Sequence, residues 1–516
     1  MKMTASVARD NANSRDSRVY LAVLLGMAAQ LIAQFLLQRL FAQYFGTSLE
    51  KDAYGFAMTL PMHVSAAVTG ALAPVLIPML GRSDATSARS MVGTVFALTL
   101  ISTTLLAIVF WWQSVAIIQL QQPGLSAEKL ELTASIFRIL IWLLPANATI
   151  GLLYAVLHAN LRFVVPALAG VLGPATTVCI VWWCGADEQI SIETVARATL
   201  AGAGVSILLQ LPVFMSFVDV PRIQGSLMLL RSFAALGTPV MLSSIILKVD
   251  PFIDRYLVSS LPDGDLARLD YALNIANAFI ILSSGTLSTV AFPRISKKSI
   301  HGAEELQAEV AAAVRTLVRL IVPAAAVLLL FSHQLIADLF QTGKFTAEDT
   351  AAVGTLVKVF ALLLLGASLG ELCAKVMYAM QQVRIPLLVT ALAIGTGGIL
   401  KILIVPHWGI ISLVAVTSTV FVAASLVQLC VIYKLVGSSI LSGMLPAFLR
   451  AAIATGAACG VGLITLAFDF RFSSLVGLLF GGIAYLAVLT TIDPEVWLVT
   501  KSISRSEHTA QDREVP

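Results

Sequence analysis

The sequence predicts an all-α polytopic membrane protein of about fourteen transmembrane helices, and three observations support this prediction. Hydrophobic residues make up 58% of the 516, charged residues only 12%, and the mean hydropathy is +0.90. Such a chain has too little polar surface to cover a water-soluble globule. Apolar runs long enough to span a hydrocarbon core of roughly 30 Å recur along it. As a third observation, lysine and arginine are frequent in every second connection between these runs and rare in the others.

The apolar runs, taken in order, define the predicted elements. Their helices are predicted to begin near Tyr20, Ala53, Met91, Thr133, Phe163, Ala196, Phe233, Tyr271, Thr316, Ala351, Pro386, Gly409, Ala451 and Ser474. The first run is too long for the hydrophobic segment of a signal peptide, so it is interpreted as a retained helix.

Lysine and arginine separate the connections into two sets. The two tails and the even-numbered connections carry eighteen of these residues, whereas the odd-numbered connections carry six. The six are Lys51, Lys129, Arg197, Arg268, Lys344 and Arg471. Because positive residues accumulate on the cytoplasmic side of membrane proteins, both termini are predicted to be cytoplasmic.

A weak internal repeat divides the chain. LIPMLGRS (76–83) matches AFPRISKK (291–298) at an offset of 215, and LHANLRFVVP (157–166) matches MYAMQQVRIP (377–386) at 220. LQRLFAQYF (37–45) matches IDRYLVSSL (253–261) at 216. The repeat predicts two pseudo-symmetric six-helix lobes, related by an axis along the membrane normal and meeting at a central cleft, plus two C-terminal helices. The predicted segments are a tail at 1–19, lobes at 20–232 and 233–435, appended helices at 436–492 and a tail at 493–516.

Several classes of chemistry lack their sequence signals. No G-x-x-x-x-G-K-[ST] loop is present to bind a nucleotide, and no hydrolase motif lies within an apolar run. The five cysteines lie in or beside apolar runs without metal-type spacing and are interpreted as packing residues. We therefore expect a secondary transporter rather than an enzyme, without a cofactor, a metal or a nucleic-acid partner.

Polar residues within the membrane are costly and normally face a cavity or a partner. The stretch KVDPFIDRYLVSSL (248–261) carries four charged residues, and Pro251 predicts a bend there. One interpretation places at least Lys248 and Arg255 on the cleft between the lobes. The alternative is that these charges lie near the outer interface, where they snorkel or pair. For Arg319 and Lys401, interfacial snorkelling is the prediction, and for His63 a structural role.

Helical spacing groups the other polar residues. Gln30, Gln34 and Gln38 form a stripe on the first helix, for which interhelical hydrogen bonding and a wet cavity wall are both open interpretations. Glu371 and Lys375 have salt-bridge spacing. The candidate cavity residues are Gln30, Gln34, Gln38, Arg39, Asp52, Lys248, Asp254, Arg255, Asn274, Asn277, Glu371 and Lys375.

Several stretches together resemble the MurJ/MviN family of lipid II flippases, within the multidrug/oligosaccharidyl-lipid/polysaccharide exporter superfamily. The matching stretches are KDAYGFAMTLP (51–61), RFVVPALAGVL (162–172), IDRYLVSSLPDG (253–264), LDYALNI (269–275), AFPRISKK (291–298) and MYAMQQVRIP (377–386). The resemblance implies a carrier in the bacterial inner membrane. Such a carrier moves an undecaprenyl-pyrophosphate-linked saccharide from the cytoplasmic to the periplasmic leaflet by alternating access.

The polar positions of the family are only partly kept. Its cleft arginines fall at Leu31, Leu37 and near Ser65, and further polar positions fall at Leu273, Asn274 and Asn277. Asp52 keeps its type, and Asp254 matches a family aspartate. Arg39, Lys248 and Arg255 are the candidate replacements for the lost cations, since a pyrophosphate needs Arg or Lys for charge-assisted hydrogen bonds.

Three functions follow as hypotheses. The leading one is a flippase for a lipid-linked peptidoglycan precursor or exopolysaccharide repeat unit, with membrane lipids around its apolar tail. A cation-coupled drug exporter is the second, using a proton or sodium and one of Asp52, Asp254 and Glu371. The third is a transport-inactive scaffold for a glycan-synthesis complex.

Overall fold

A computed structural model describes residues 25–26, 28–82, 85–185, 190–219, 245–246, 248–298, 302–468 and 473–496. In the first half of the chain, α1 spans residues 28–45. It is followed by α2 (Leu49–Arg82), α3 (Ala85–Trp112), α4 (Ser114–Gln121), α5 (Ala127–Leu140), α6 (Leu143–Ala159), α7 (Val164–Cys184), α8 (Ile192–Phe214) and α9 (Val249–Val258). A 3₁₀ turn, Met215–Phe217, extends α8.

The second half is also helical throughout its described residues. It comprises α10 (Asp265–Ile280), α11 (Thr286–Lys298), α12 (Ala303–Leu330), α13 (Ser332–Phe340), α14 (Ala347–Ala379), α15 (Arg384–Val436), α16 (Met444–Leu466) and α17 (Ser473–Ile492). A π-helical turn, Ile281–Gly285, joins α10 to α11, and a 3₁₀ turn, Ser438–Leu441, follows α15.

Eleven segments of the described residues are long and apolar enough to cross a membrane. The longest, Arg384–Val436, contains a kink at Gly409, where φ is 66° and ψ is −162°, so it comprises two helices. The kink lies at the position predicted for the start of a helix. Two other predicted starts, Tyr20 and Phe233, and both tails up to residue 24 and beyond residue 496 lie outside the described residues. The all-α membrane fold is confirmed, and the number fourteen stays a prediction.

The chain forms two compact units. The first comprises residues 1–267 and 342–345, and the second comprises 268–341 and 346–516. The predicted lobe boundary at 232–233 lies outside the described residues. Equivalent helices of the predicted repeat begin at near-constant offsets, because α2 and α10 start 216 residues apart and α5 and α14 start 220 apart. The two-lobe organisation itself stays a prediction.

Each unit has its own apolar core. In the first unit α2, α3, α6 and α8 contribute, with Leu76, Val92, Leu153 and Phe214 almost completely buried. In the second unit α11, α12, α14, α15 and the turn after α15 surround another cluster. Many large apolar side chains elsewhere on these helices are exposed, including three tryptophans at 78%. Such surfaces suit a hydrocarbon environment rather than water.

Candidate functional site

The glutamines of α1 occupy three different surroundings. The side-chain oxygen of Gln30 lies against α7, 3.0 Å from where a Cβ on Gly170 would be. Gln34 is exposed, and Gln38 is half-buried. The Gln38 Oε1 atom is buried and has no hydrogen-bond partner among the described residues. The predicted stripe therefore includes a contact with α7 and an exposed position, and its role stays a prediction.

The charged stretch 248–261 forms the short helix α9. Lys248 is its N-cap residue and Asp250 lies in its first turn. Pro251 also lies in that first turn, where the missing N–H costs no hydrogen bond. Pro251 therefore lies at a helix start, and the bend stays a prediction. The predicted site residues Lys248, Asp254 and Arg255 are all half-buried here, as is Arg39 in α1.

Asp52, in the first turn of α2, is the centre of a buried ion-pair cluster. Its carboxylate accepts a hydrogen bond from Lys129 Nζ at 2.8 Å and from the backbone N–H groups of Gly264 at 2.7 Å and Ala267 at 2.8 Å. Lys129 also donates to Asp263 Oδ1 at 2.8 Å. The side chains of Asp52 and Lys129 are 1% and 4% exposed, whereas Asp263 is 60% exposed. Asp52 is therefore held by α5 and the 263–267 segment.

Ser65 occupies the position near which the family resemblance places an arginine. It is 3% exposed, and it accepts a hydrogen bond from Asn147 Nδ2 in α6 at 3.5 Å. Its hydroxyl donates to the carbonyl of Met62 at 3.1 Å. Serine here packs α2 against α6 and leaves no cation at that point. Nearby, His63 is 8% exposed and packs on Phe252, with ring centroids 5.4 Å apart.

In the second unit, α10 and α14 carry four predicted site residues. Asn274 donates to the carbonyl of Asp270 one turn earlier at 2.8 Å, and Asn277 is exposed. The sequence spacing suggested an ion pair between Glu371 and Lys375, but their described contacts are with other residues. Glu371 accepts a hydrogen bond from Ser284, in the π-helical turn, at 2.7 Å. Lys375 Nζ lies 5.7 Å from the centroid of the Phe292 ring.

A cavity of about 630 Å³ lies within the second unit. It is bordered by α10, α12, α16 and α17. Its lining is almost entirely apolar, and glycines of α16 and α17, including Gly462, Gly477 and Gly482, widen it. Arg319 and Tyr485 border it as well. This space can accommodate a hydrocarbon chain.

The predicted snorkelling of Arg319 and Lys401 is wrong. Lys401 is 1% exposed and Arg319 is 7% exposed. Arg319 makes two hydrogen bonds to Asp493, of 2.8 and 3.1 Å, and one of 2.7 Å to Glu495. The two carboxylates follow directly after α17, so this ion pair joins the end of α17 to α12. An arginine whose charge is paired in the interior has no need to extend to water.

Glu495, beyond the last membrane span, titrates at a lowered pH. Burial by itself would raise the pKa of this carboxyl group, but the hydrogen bonds from Arg319 and Arg315, together with their positive charges, hold the pKa below its ordinary value. Arg315 Nη2 lies 2.9 Å from Glu495 Oε1. The carboxylate is therefore charged over the physiological pH range.

Sequence reasoning missed the partner of Asp52. Lys129 was counted only as a loop charge, yet it lies in the first turn of α5 after the capping residue Ser126, whose hydroxyl accepts from Lys129 N at 3.3 Å. The same pattern occurs 220 residues later, where Thr346 caps α14 and Asp349 takes the place of Lys129. Asp349 pairs with Arg268 at 3.3 Å. The repeated capping pattern was the available signal.

Two solved structures share the fold of this chain. One described as "Lipid II flippase MurJ, inward closed conformation" matches with a TM-score of 0.77 and 20% identity, over 92% of this chain and 98% of that chain. An inward-facing multidrug resistance MATE family transporter matches with a TM-score of 0.68 and 14% identity, over 80% of this chain and 98% of the other. The chain thus has the fold of a polytopic helical transporter.

The particular family follows from sequence. The family model "Lipid II flippase MurJ" matches residues 41–484, and the chain belongs to this family. A lipid II flippase MurJ of Burkholderia cenocepacia is 23% identical over 368 residues, which cover 68% of this chain and 70% of the relative. A probable lipid II flippase MurJ of Rickettsia prowazekii is 25% identical over 372 residues, covering 69% of this chain and 72% of the relative.

Proposed function

We propose that this protein is a flippase that moves lipid II, or a closely related polyprenyl-pyrophosphate-linked saccharide, from the cytoplasmic to the periplasmic leaflet of the bacterial inner membrane. The observation that carries the proposal is the match of the MurJ family model over residues 41–484. Alternating access of a polar site to the two leaflets is the mechanism we propose. The coupling ion, a proton or sodium, would bind at a carboxylate such as Asp254 or Glu371.

The polar headgroup requires cations and amides. A pyrophosphate is bound best by charge-assisted hydrogen bonds from Arg or Lys, whereas sugar hydroxyls suit amide side chains. In the first unit Arg39, Lys248 and Arg255 are half-buried and Gln34 is exposed, so these side chains combine both chemistries. We propose that they contact the headgroup.

The apolar cavity between α10, α12, α16 and α17 supports a separate place for the polyprenyl chain. Its lining offers hydrocarbon contacts, and its volume is about 630 Å³. A Cβ on Gly482 would meet open space there, so Gly482→Leu fills the cavity without a backbone clash. Gly460→Leu is the matched control, because Gly460 also faces open space and does not line the cavity.

The headgroup assignment is tested in cells that depend on this chain for lipid II export. The double variant Gln34→Leu with Arg255→Ala should abolish the exposure of lipid II to an externally added lipid II-cleaving enzyme, while membrane insertion stays normal. The control variant Gln43→Leu makes the same glutamine-to-leucine change at an exposed residue of α1, and it should export lipid II normally. Normal export by the double variant would contradict the assignment.

The identity of the saccharide is tested by native mass spectrometry of the purified protein. A retained polyprenyl-pyrophosphate muropeptide supports lipid II, and a retained exopolysaccharide unit supports the alternative substrate.

Likeness to the MATE transporter, at 14% identity, concerns the fold alone. Uptake of cationic dyes into proteoliposomes, without lipid II transfer, would favour drug export. Co-purification of glycan-synthesis enzymes without any leaflet transfer would favour a scaffold.

A further inference from the structure

The π-helical turn between α10 and α11 brings a buried hydroxyl group against a carboxyl group of α14. Ser284 Oγ lies 2.7 Å from Glu371 Oε2 and 3.0 Å from the carbonyl oxygen of Ile280. Ser284 is 1% exposed, whereas Glu371 is half-buried. π-Helical turns are rare and occur frequently at functional sites. The three oxygens therefore form a small polar group between two helices of the second unit.

The number of hydrogen atoms decides which protonation state satisfies this group. A serine hydroxyl has one hydrogen, so it donates well to only one of the two neighbouring oxygens. An ionised Glu371 takes that hydrogen and leaves the Ile280 contact without one. A protonated Glu371 instead donates to Ser284, and Ser284 then donates to Ile280. Both contacts are made only in the second arrangement, so the geometry fits a proton between Glu371 Oε2 and Ser284 Oγ.

The side chains near Glu371 on α14 do not supply a compensating cation. Among the described residues, Glu371 makes one hydrogen bond, with Ser284, and no ion pair. Lys375, one turn further along α14, lies against Phe292 instead, with its Nζ 5.7 Å from the ring centroid. Cys373, the other titratable residue within one turn, is 2% exposed. An unpaired carboxylate within a membrane span is costly, and a bound proton removes this cost.

The helices on two sides of Glu371 are free of charge where they pack on α14. The π-helical turn and residues 286–293 of α11 contain no titratable side chain, and the cations of α11 begin at Arg294, which is exposed. Residues 409–429 of α15, which pack on α14, contain no titratable side chain either. These neighbours therefore leave the proton as the partner of the carboxyl group.

The charged groups of α12 and α13 are engaged elsewhere or lie far along α14. Arg315 and Arg319 of α12 pair with carboxylates that follow α17. The acidic residues of α12 lie in its first two turns, at 304, 305 and 309. On α13, Asp338 accepts a hydrogen bond from the N–H group of Ser474. His333 lies against Gly354, more than four turns before Glu371.

The same π-helical turn borders the apolar cavity. Ser283, next to Ser284, lines the cavity together with Phe279 and Leu282. One rare backbone element thus contacts both the proposed place of the polyprenyl chain and the carboxyl group of Glu371. Where one ligand changes the affinity of another, the effect is reciprocal. The turn therefore provides a direct route by which a proton on Glu371 and a lipid chain in the cavity influence each other.

We propose that Glu371 and Ser284 form the site that binds the coupling proton, and that movement of the π-helical turn releases this proton. The proposal rests on the proposed flippase function and deepens it, because it selects a proton rather than sodium. An oxygen–oxygen distance of 2.7 Å is that of a hydrogen bond and leaves no room for a metal ion between the two atoms. When Ser284 moves away, the proton passes from Glu371 Oε2 to water and a carboxylate remains.

Infrared difference spectroscopy of the full chain in liposomes tests the site without lipid II. A protonated carboxyl group has a C=O stretching band that an ionised carboxylate lacks. At neutral pH, Glu371→Gln should lose one such band of the parent, whereas in Ser284→Ala the band should shift because its hydrogen bond is lost. The matched control, Glu348→Gln, changes an exposed glutamate of α14 and should lose no band.

The outcome that would overturn the proton site is a parent spectrum without any band that depends on Glu371. Ser284→Ala keeps the test decisive if Glu371→Gln fails to fold, because an unshifted band in Ser284→Ala would exclude a proton shared with this hydroxyl.

The coupling role is tested by lipid II transfer in the same liposomes under an imposed pH gradient. The gradient should accelerate transfer by the parent and by Glu348→Gln, and Glu371→Gln should lose this acceleration because it has no proton to release. Full acceleration in folded Glu371→Gln, or none in the parent, would overturn the coupling role. A parent that shows the infrared band but transfers no lipid II would overturn the proposed function and leave the proton site in place.

Discussion

At the scale of single residues, Arg319 has a large expected effect on stability. It is 9% exposed at its side chain and pairs with Asp493, which is 0% exposed. Arg319→Met removes both hydrogen bonds to this buried aspartate and leaves only Arg450 Nη1 near it, at 3.8 Å, and we expect a loss of about 3–5 kcal/mol. Thermal unfolding in detergent measures it. Arg197→Met removes an exposed i,i+4 pair and should cost at most about 0.5 kcal/mol. Equal losses in the two variants would contradict the buried network.

Glu495 predicts a pH dependence at the same network. Its pKa in the folded protein lies below the ordinary value of 4.5, because the hydrogen bonds from Arg319 and Arg315 outweigh the effect of burial. The folded state therefore binds this proton less readily than the unfolded state, so stability is present above about pH 4.5 and falls as the pH drops through the folded value.

The measurement compares the melting temperature of the parent and Glu495→Gln between pH 7 and pH 3. The parent should lose more stability than the variant over the acidic part of this range. Parallel curves of melting temperature against pH would show that the carboxylate contributes nothing to the pH dependence of stability.

The sequence predicted several of these residues but not their surroundings. Asp52 stood out because it keeps the residue type of a polar position in the family that the chain resembles. Its partners Lys129 and Gly264 are separated from it by 77 and 212 residues. Their meeting depends on tertiary packing, which periodicity does not encode. Arg319 was misplaced for the same reason, since its carboxylates lie 174 and 176 residues further on.

At the scale of elements, α14 and α15 pack through a glycine. A Cβ on Gly366 would lie 2.6 Å from Val422 N and 2.7 Å from Phe421 C, and backbone atoms do not yield easily. Gly366→Ala therefore forces the helices apart, at a cost of about 1–3 kcal/mol. Gly395→Ala, on α15 with open space around it, should be neutral or stabilise by up to about 1 kcal/mol. Chemical denaturation in detergent measures both, and a neutral Gly366→Ala would contradict this packing.

Helix positions followed from hydropathy where a helix has to span the hydrocarbon. Twelve of the fourteen predicted starts lie in described residues, each inside a helix, at its cap or at the Gly409 kink. The short helices α4 and α13 were missed. They have 8 and 9 residues, too few to show a period, and each is separated from the preceding long helix by a single residue. Apolar content detects the span but not such a break within it.

At the scale of the whole molecule, tryptophans predict its depth in the membrane. Trp112, Trp183 and Trp408 are each 78% exposed and lie at helix ends that the predicted topology places on the periplasmic side. Indole rings favour the membrane–water interface. In chains that keep only one of these tryptophans, lipids with a quencher near the headgroup should reduce the fluorescence more than lipids with a quencher at the chain end. The reverse order would contradict this placement.

Two short turns in the two halves of the chain have the same unusual backbone conformation. Leu161 and Gln381, 220 residues apart, both have positive φ, at 55° and 61°. In each turn the next residue donates to a carbonyl five positions earlier at 2.8 Å, from Arg162 to Leu157 and from Gln382 to Met377. Both loops make the same hydrogen bonds with the same unusual backbone conformation, so each should be able to replace the other. A chimera with either loop present twice should insert and fold like the parent, as the predicted internal repeat implies.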